Sequence, residues 1–448
     1  MPLDLDRLTA ALLDTARRAG AEAADAIAME ASQTAVDVLG GRLEQAERSE
    51  STDLGLRVLI GTRQACVASS DTSDAALGAM AERAVAMARV APEDPSLGLA
   101  EPAALARDVD LAALDLTDDA PPPEPAALED AARRMEAEAL SHEGIAQAQS
   151  SSAAHGRRRV HLAATNGFSA GYGTTFHSLS CVAITGEGRS MQRDYHSDGR
   201  LHRADLLAPE EVGRIAAERT LARAGARRPR TGAFPVILEE RVAASLMGHL
   251  VAAANGSAVA RGASWLRDAM GEPVLPDDLT LVEDPYRPRV SSSRPFDAEG
   301  LPTRAAPIVE GGRLARWVLD LSTARRLGLS STANAQRGTA GPPSPGTTGF
   351  ALTQGETSLE EMLREMGTGL LVTSFIGSTV NPTTGDWSRG ASGHWIENGE
   401  RAYPVHECTL AGNLREMLRT IRPANDARPH LSRVVPSLLV EGLTLAGD

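Results

Sequence analysis

Five short stretches carry residue types that could do chemistry. Gly167-Phe168-Ser169-Ala170-Gly171 matches G-x-S-x-G, the turn that lifts a nucleophilic serine between a strand and a helix. The residues after it, YGTTFHSLSCVAI, alternate like a strand, so a hairpin or bulge is the better reading of these glycines. Asp194–His202 holds residues of metal-ligand type, but Ser197-Asp198-Gly199 is itself a turn signal. A solvated hairpin tip is expected there, with metal binding by His196 and His202 as the alternative. His406-Glu407-Cys408 sets three ligand types in a row. On a strand His406 and Cys408 share one face and Glu407 takes the other, leaving two ligands where zinc needs three or four. Alternation with Leu410 makes Cys408 half-buried core. Gly338–Gly349 resembles a phosphate cradle, yet it lacks a lysine and its three prolines remove amide donors; a mobile surface loop is expected. Gly377–Gly390 is polar and glycine-rich between strands. Two readings stand for it: backbone laid against an extended ligand, or plain turns.

Composition narrows the chemistry further. The 448 residues include 45 basic and 59 acidic side chains, a net charge of −14. Every basic residue is arginine, which excludes Schiff-base chemistry, a P-loop lysine and Ser–Lys dyads. The acidic balance and the scarcity of aromatics (six Phe, four Trp, four Tyr) argue against a nucleic-acid partner. Three widely spaced cysteines, Cys66, Cys181 and Cys408, are not a disulfide framework and fit a reducing cytoplasm. The first twenty residues lack a signal-peptide pattern. No apolar run approaches the ~18 residues of a membrane span, so no membrane role is expected.

The elements that must position these residues fall into an α+β pattern. Residues 1–95 read as a mixed unit: a helix over 4–19 closed by Gly20, short alternating runs turning at 40–42 and 61–63, and a helix over 73–90. Residues 96–124 form a Pro/Ala/Asp-rich linker. A second mixed unit over 125–226 has a helix at 125–141, runs near 145–153, 158–164, 169–186 and 189–197, and a helix at 208–225. Its helix–strands–helix order echoes the first unit. The third unit, 232–448, opens with a buried strand over 234–240 and an apolar helix over 240–256. Many short strands follow, with helices near 321–328 and 357–366, suggesting a twisted sheet or partial barrel.

Longer stretches identify a resemblance. GHLVAAANG (248–256), RPFDAEGLPTR (294–304), WVLDLSTARRLGL (317–329), GTGLLVTSFIGSTVNPTTGDWSRGASGHWIENGE (367–400) and CTLAGNL (408–414) resemble the TldD/PmbA family, in its PmbA/TldE branch, and SESTDLGLRVLIGTRQACVASSD (49–71) fits the same family. The resemblance implies a cytoplasmic peptidase built from two chains. A TldD-type chain carries a zinc helix, H-E-x-x-x-H, with a later cysteine. With a TldE-type partner it degrades unfolded or extended peptides through an enclosed channel. The family label, modulator of DNA gyrase, comes from maturation of a gyrase-targeting peptide antibiotic.

Counting from Pro235 places the zinc-helix positions at Gly248, His249 and Ala253. Glycine and alanine stand where the two ligands should be, and histidine stands where the general-base glutamate should be. The resemblance therefore implies a chain without catalytic or metal residues, with zinc only in a TldD-type partner, and a heterodimer with that partner. His249, Gly377, Ser378, Asn381 and Trp387 are the positions expected to face a peptide channel. Two alternatives stay open. One is a homodimeric peptide-binding protein without proteolysis. The other is a stand-alone hydrolase using His196, His202 or Cys408.

Overall fold

The computed structural model describes residues 3–107 and 110–447. The fold is α+β, as expected. In the first unit, helix α1 (Leu5–Ala19) is capped by Asp4, whose Oδ1 accepts from the Arg7 amide at 3.1 Å, and it ends at Gly20 with φ 102°. Strands β1 (Ala23–Leu39), β2 (Arg42–Ile60) and β3 (Arg63–Ser69) form a meander, and α2 (Asp74–Val90) closes the unit. The second unit repeats that order with α3 (Pro125–Ser141), β4 (Ile145–Ala164), β5 (Ser169–Thr185), β6 (Gln192–Arg200) and α4 (Pro209–Leu221).

The short runs fuse into strands of up to 20 residues. β1 pairs antiparallel with β4 from Asp25–Ala164 to Val38–Ser151, so both units share one sheet, ordered β3-β2-β1-β4-β5-β6. Alternation gives this sheet two different faces. Ala24, Ala26, Ala28, Leu54, Leu56 and Val58 pack under α1 and α2, while Val36, Val38, Leu179 and Cys181 pack under α3 and α4. The opposite face carries Asp25, Ile27, Arg57, Leu162 and Tyr172, and it meets the third unit. Phe296 sits there with its ring 5.0 Å from Phe168 and 5.6 Å from Tyr172.

The third unit begins with β7 (Gly232–Leu238), α5 (Glu240–Ala253) and α6 (Gly256–Ala260). A small sheet follows, made of β8 (Leu281–Glu283), β9 (Ala306–Glu310), β10 (Arg313–Leu314) and later strands; α7 (Leu321–Leu327) and the β11–β12 ladder (Ala335–Gln336, Ser344–Pro345) interrupt it. Then come β13 (Phe350–Leu352), α8 (Leu359–Met366), β14 (Gly369–Val380), β15 (Asp386–Glu397), β16 (Glu400–Asn413), α9 (Leu414–Arg419), β17 (Arg422–Pro423), β18 (Arg433–Val434) and β19 (Leu438–Ala446). Strands β16-β15-β14-β7-β19 form a five-stranded ring, because β16 also pairs with β19 over Thr409–Ala411. This is the partial barrel suggested by the strand pattern. Its core holds Leu238, Trp395, Leu410 and Leu443.

Two expectations need correction. Ser197-Asp198-Gly199 is not a hairpin tip: β6 runs straight through it, with Ser197 opposite Ser180 and Gly199 opposite Ser178. His196 and His202 are consequently buried. Gly338–Gly349 is not a loose surface loop either. Pro343, Pro345 and Gly349 are buried, and the Thr339 carbonyl lies so close to Gly55 that a Cβ there would meet it at 2.3 Å. Glycine allows that contact.

The two sheets are locked by a buried ionic contact. Arg57 Nε reaches Asp25 Oδ2 at 2.6 Å, and Arg337, from the third unit, pairs with Asp25 Oδ1. All three side chains are nearly inaccessible. Nearby, Asp297 and Glu299 are buried carboxyls, and burial pushes both upward from their ordinary ranges. Glu299 accepts from the Leu321 amide at 2.8 Å, holding the start of α7.

Asp25→Ala strands two guanidiniums in the interior, so a loss of about 3–5 kcal/mol is expected in urea unfolding. Glu299 binds its proton more tightly folded than unfolded. Its contribution to stability is therefore present at acid pH and is lost as pH rises through and above the ordinary carboxylate range. Glu299→Gln should flatten that decline in Tm measured against pH.

Candidate functional site

The site is built around α5 and the β14–β15 hairpin. α5 follows β7 directly, and the Glu240 amide donates to Ser437 Oγ at 3.1 Å. Its apolar side, Leu246, Met247 and Leu250, packs into the barrel core, leaving Gly248 and His249 partly exposed. A Cβ on Gly248 would meet only Arg433 Nη1, at 3.8 Å. Ala253 is buried.

Arg389 of β15 organises the neighbourhood. Its Nε donates to the Gly377 carbonyl at 2.8 Å and its Nη1 to Ser245 Oγ at 3.2 Å, one turn before His249. The guanidinium lies 4.3 Å over the Phe375 ring, which meets Trp387 edge-on at 5.8 Å. No carboxylate lies within 4 Å of Arg389 among the described residues. Burial, and secondarily the Arg389 charge, hold the His249 imidazole below its usual range. His249 Nε2 and Trp387 Nε1 are both buried without a hydrogen-bond partner.

The hairpin itself is irregular. Ile376 pairs with Gly390 and Thr379 with Ser388, so Gly377 and Ser378 together oppose Arg389. This is a β-bulge, with Gly377 at φ 65°. Asn381 shapes the turn: its Oδ1 accepts from the amides of Thr383 (3.0 Å) and Thr384 (3.3 Å). β7 pairs with β14 only over Leu370–Val372. Beyond that, no described strand pairs with β14 on this side, which leaves a free edge with Ile376–Thr379 exposed.

Thus His249, Gly377 and Trp387 gather around Arg389 and Phe375, while Ser378 lies on the exposed bulge and Asn381 in the turn. Sequence reading missed Arg389, Phe375 and Ser245. An arginine set between small residues, Ser388-Arg389-Gly390, was the available signal.

The other candidates do not converge. His196 Nδ1 shares a hydrogen bond with Arg219 Nη1 at 2.9 Å, and burial with that charge holds His196 down to about 4. His202 Nε2 is 3.0 Å from the Asp115 carbonyl. Ser169 opens β5 and lies 3.2 Å from Asp6 Oδ1 and 3.5 Å from His161 Nε2. The acid therefore bonds the serine rather than His161 Nδ1, which faces Thr9 Oγ1 at 2.9 Å, so the relay of a serine triad is missing. The His406-Glu407-Cys408 alternation is broken by Glu407, at φ 50° in a second irregularity of the sheet. Cys408 is fully buried rather than half-buried. Its thiol donates to the Ala391 carbonyl at 3.2 Å, and burial pushes it up to about 11.

Comparison with known proteins places this arrangement. Residues 24–88, 115–224 and 231–447 match the models for PmbA/TldA metallopeptidase domain 1, the central domain and the C-terminal domain. The chain belongs to the PmbA/TldD family. It is 38% identical to the metalloprotease PmbA of Escherichia coli O157:H7, over 91% of this chain and 88% of that one. It is 32% identical to a PmbA homolog of Haemophilus influenzae, covering 97% and 94%. The crystal structure of a candidate modulator of DNA gyrase from Bacteroides thetaiotaomicron superposes with TM-score 0.92 at 26% identity over the whole of both chains. TldE from Thermococcus kodakarensis shares the fold, with TM-score 0.86 at 19% identity over 98% of this chain and all of that one.

A metal is implied by the family, and the residues here do not fit one. Gly248 and Ala253 have no donor atoms, and Cys408 is held as a thiol by a carbonyl. No group of three or more His, Cys, Asp or Glu side chains is arranged to hold a metal among the described residues.

Two outcomes are expected. In the native chain Cys408 should resist alkylation at pH 7.5 and react only after unfolding, because the thiolate is the reactive form. Arg389→Gln should raise the His249 pKa in an NMR imidazole titration, since one of the two influences that depress it is removed.

Proposed function

We propose that this chain is the non-catalytic, PmbA/TldE-type subunit of a cytoplasmic metallopeptidase pair. Its partner, a TldD-type chain, supplies the zinc and the general base. This subunit completes the channel and holds unfolded or extended peptide.

The observation that carries this reading is the α5 surface. By the resemblance, the zinc-ligand positions fall on Gly248 and Ala253, which carry no donor atoms, and His249 stands in place of the base. Peptide holding is supported by the free edge of β14 over Ser374–Val380. An extended chain can add to such an edge through main-chain hydrogen bonds, which tolerate many sequences. Assembly is supported by exposed apolar side chains close by. Met191, Tyr195 and Ile376 line a cavity of about 600 Å³ between β6 and β14, and Ile376 is 71% exposed. The same surface serves a homodimer when the chain is alone. No helix among the described residues is long and apolar enough to cross a membrane.

Metal analysis and reconstitution test the proposal. The chain purified alone is expected to hold less than about 0.1 zinc per chain and to leave extended peptides intact. Mixing it with a TldD-type chain bearing H-E-x-x-x-H should give a heterodimer on size exclusion and chelator-sensitive cleavage. One tightly held metal per chain, with chelator-sensitive cleavage by this chain alone, would overturn it. A homodimer that binds peptide and ignores the TldD-type chain would favour the interaction-protein alternative.

A further inference from the structure

The inner face of the N-terminal sheet does not close completely on the third unit. A cavity of about 290 Å³ remains between β4–β5 and the 291–298 segment. Three guanidiniums line it: Arg158 from β4, Arg294, and Arg337. Arg294 is only 7% exposed. Its Nη1 donates to the Ala335 carbonyl at 3.3 Å, but Nε and Nη2 have no partner. Arg337 is fully buried; Nη1 pairs with Asp25, and Nη2 has no partner.

Negative charge in the wall is already committed. Asp297, the one carboxylate lining the cavity, accepts from the amides of Glu299 at 2.9 Å, Leu301 at 3.0 Å and Ala335 at 3.1 Å. Among the described residues it makes no ion pair with Arg294 within 4 Å, although the Arg294 charge still acts on it through space. Asp25 is shared between Arg57 and Arg337. Thr174 and Thr348 add hydroxyls to the lining, and the Tyr172 phenol feels both Arg294 and Arg158. Buried donors that stay unpaired are rare, and a buried guanidinium with no carboxylate bonded to it rarer still. The rigid fork of arginine matches carboxylate and phosphate oxygens.

We propose that this cavity is a binding site for a small oxyanion, a phosphate or carboxylate group carried by a compact ligand, with Arg294 as its main anchor and Arg158 at its mouth. The site lies on the inner sheet face rather than at α5 or the β14 edge, so it stands independently of the peptidase reading.

Calorimetric titration of the full chain tests it, with inorganic phosphate and succinate as separate probes at constant ionic strength. Saturation at one site per chain is expected for at least one probe. Saturation by phosphate alone assigns a phosphoryl ligand, and saturation by succinate alone a carboxylate ligand. Arg294→Gln should weaken the binding by about tenfold or more, and Arg158→Gln, at an exposed position, by about threefold. Should Arg294→Gln fail to fold by circular dichroism, the Arg158→Gln titration decides. Absence of saturation by either probe up to about 20 mM would overturn the proposal. So would affinity that survives unchanged in every folded variant.

Discussion

The carboxylate of Asp25 is the contact on which the arrangement of the molecule depends. It projects from β1 toward the third unit, on a face that also carries apolar residues such as Ile27 and Leu162. A carboxylate taken out of water there needs compensation from opposite charge and good geometry. Arg57, on the neighbouring strand, supplies half of it within the sheet. Arg337 supplies the other half only when the third unit is docked. The ionic contact therefore acts as a registration pin between two separately cored bodies, and apolar burial around Phe168, Tyr172 and Phe296 provides the adhesion. Gly55 completes the fit, because any side chain there would collide with the Thr339 backbone.

That docking orients the barrel and hence α5. Two other ties act at the far end of the sheet. Arg241, in the first turn of α5, bonds Asp194 of β6 at 3.1 Å, and His394 of β15 meets the Ala222 carbonyl at 2.9 Å. Helix α5 is thus fixed from both sides by contacts of this chain's own side chains. Cys408 makes the same point chemically. A thiol that donates to a carbonyl inside a packed barrel contributes to the fold as a small apolar residue does, and its raised pKa follows from that role.

What could be read from sequence divides along physical lines. α1, α5, α7 and α8 announced themselves because helix signals are local: periodic apolar residues and, for α1, a Gly20 stop. The third unit's barrel-like character was also legible, in its run of short strands. The shared six-stranded sheet was not. It depends on Asp25–Val38 meeting Ser151–Ala164, more than a hundred residues away, and no local pattern encodes that pairing. The Ser197–Gly199 turn signal failed because β6 pairs with β5 residue by residue through these positions, which holds Gly199 in extended backbone. The proline-rich loop failed because proline, lacking an amide to satisfy, can be buried cheaply against another domain. Arg389 escaped notice because its partners, a carbonyl, a hydroxyl and an aromatic face, are assembled only by the fold.

The free edge of β14 poses a stability problem as well as an opportunity. An exposed strand edge invites uncontrolled pairing, and proteins commonly blunt it with bulges, charge or short length. Here the bulge at Gly377–Ser378 twists the edge, and Arg389 spends one donor on the Gly377 carbonyl. The edge is thereby interrupted rather than removed: Ser374–Ile376 on one side and Thr379–Val380 on the other keep extended backbone. Such an edge disfavours the long, regular pairing that drives aggregation, and the proposed role asks only that a short extended segment add to it. A surface of that kind suits transient capture of unfolded chain better than a flat, continuous strand would.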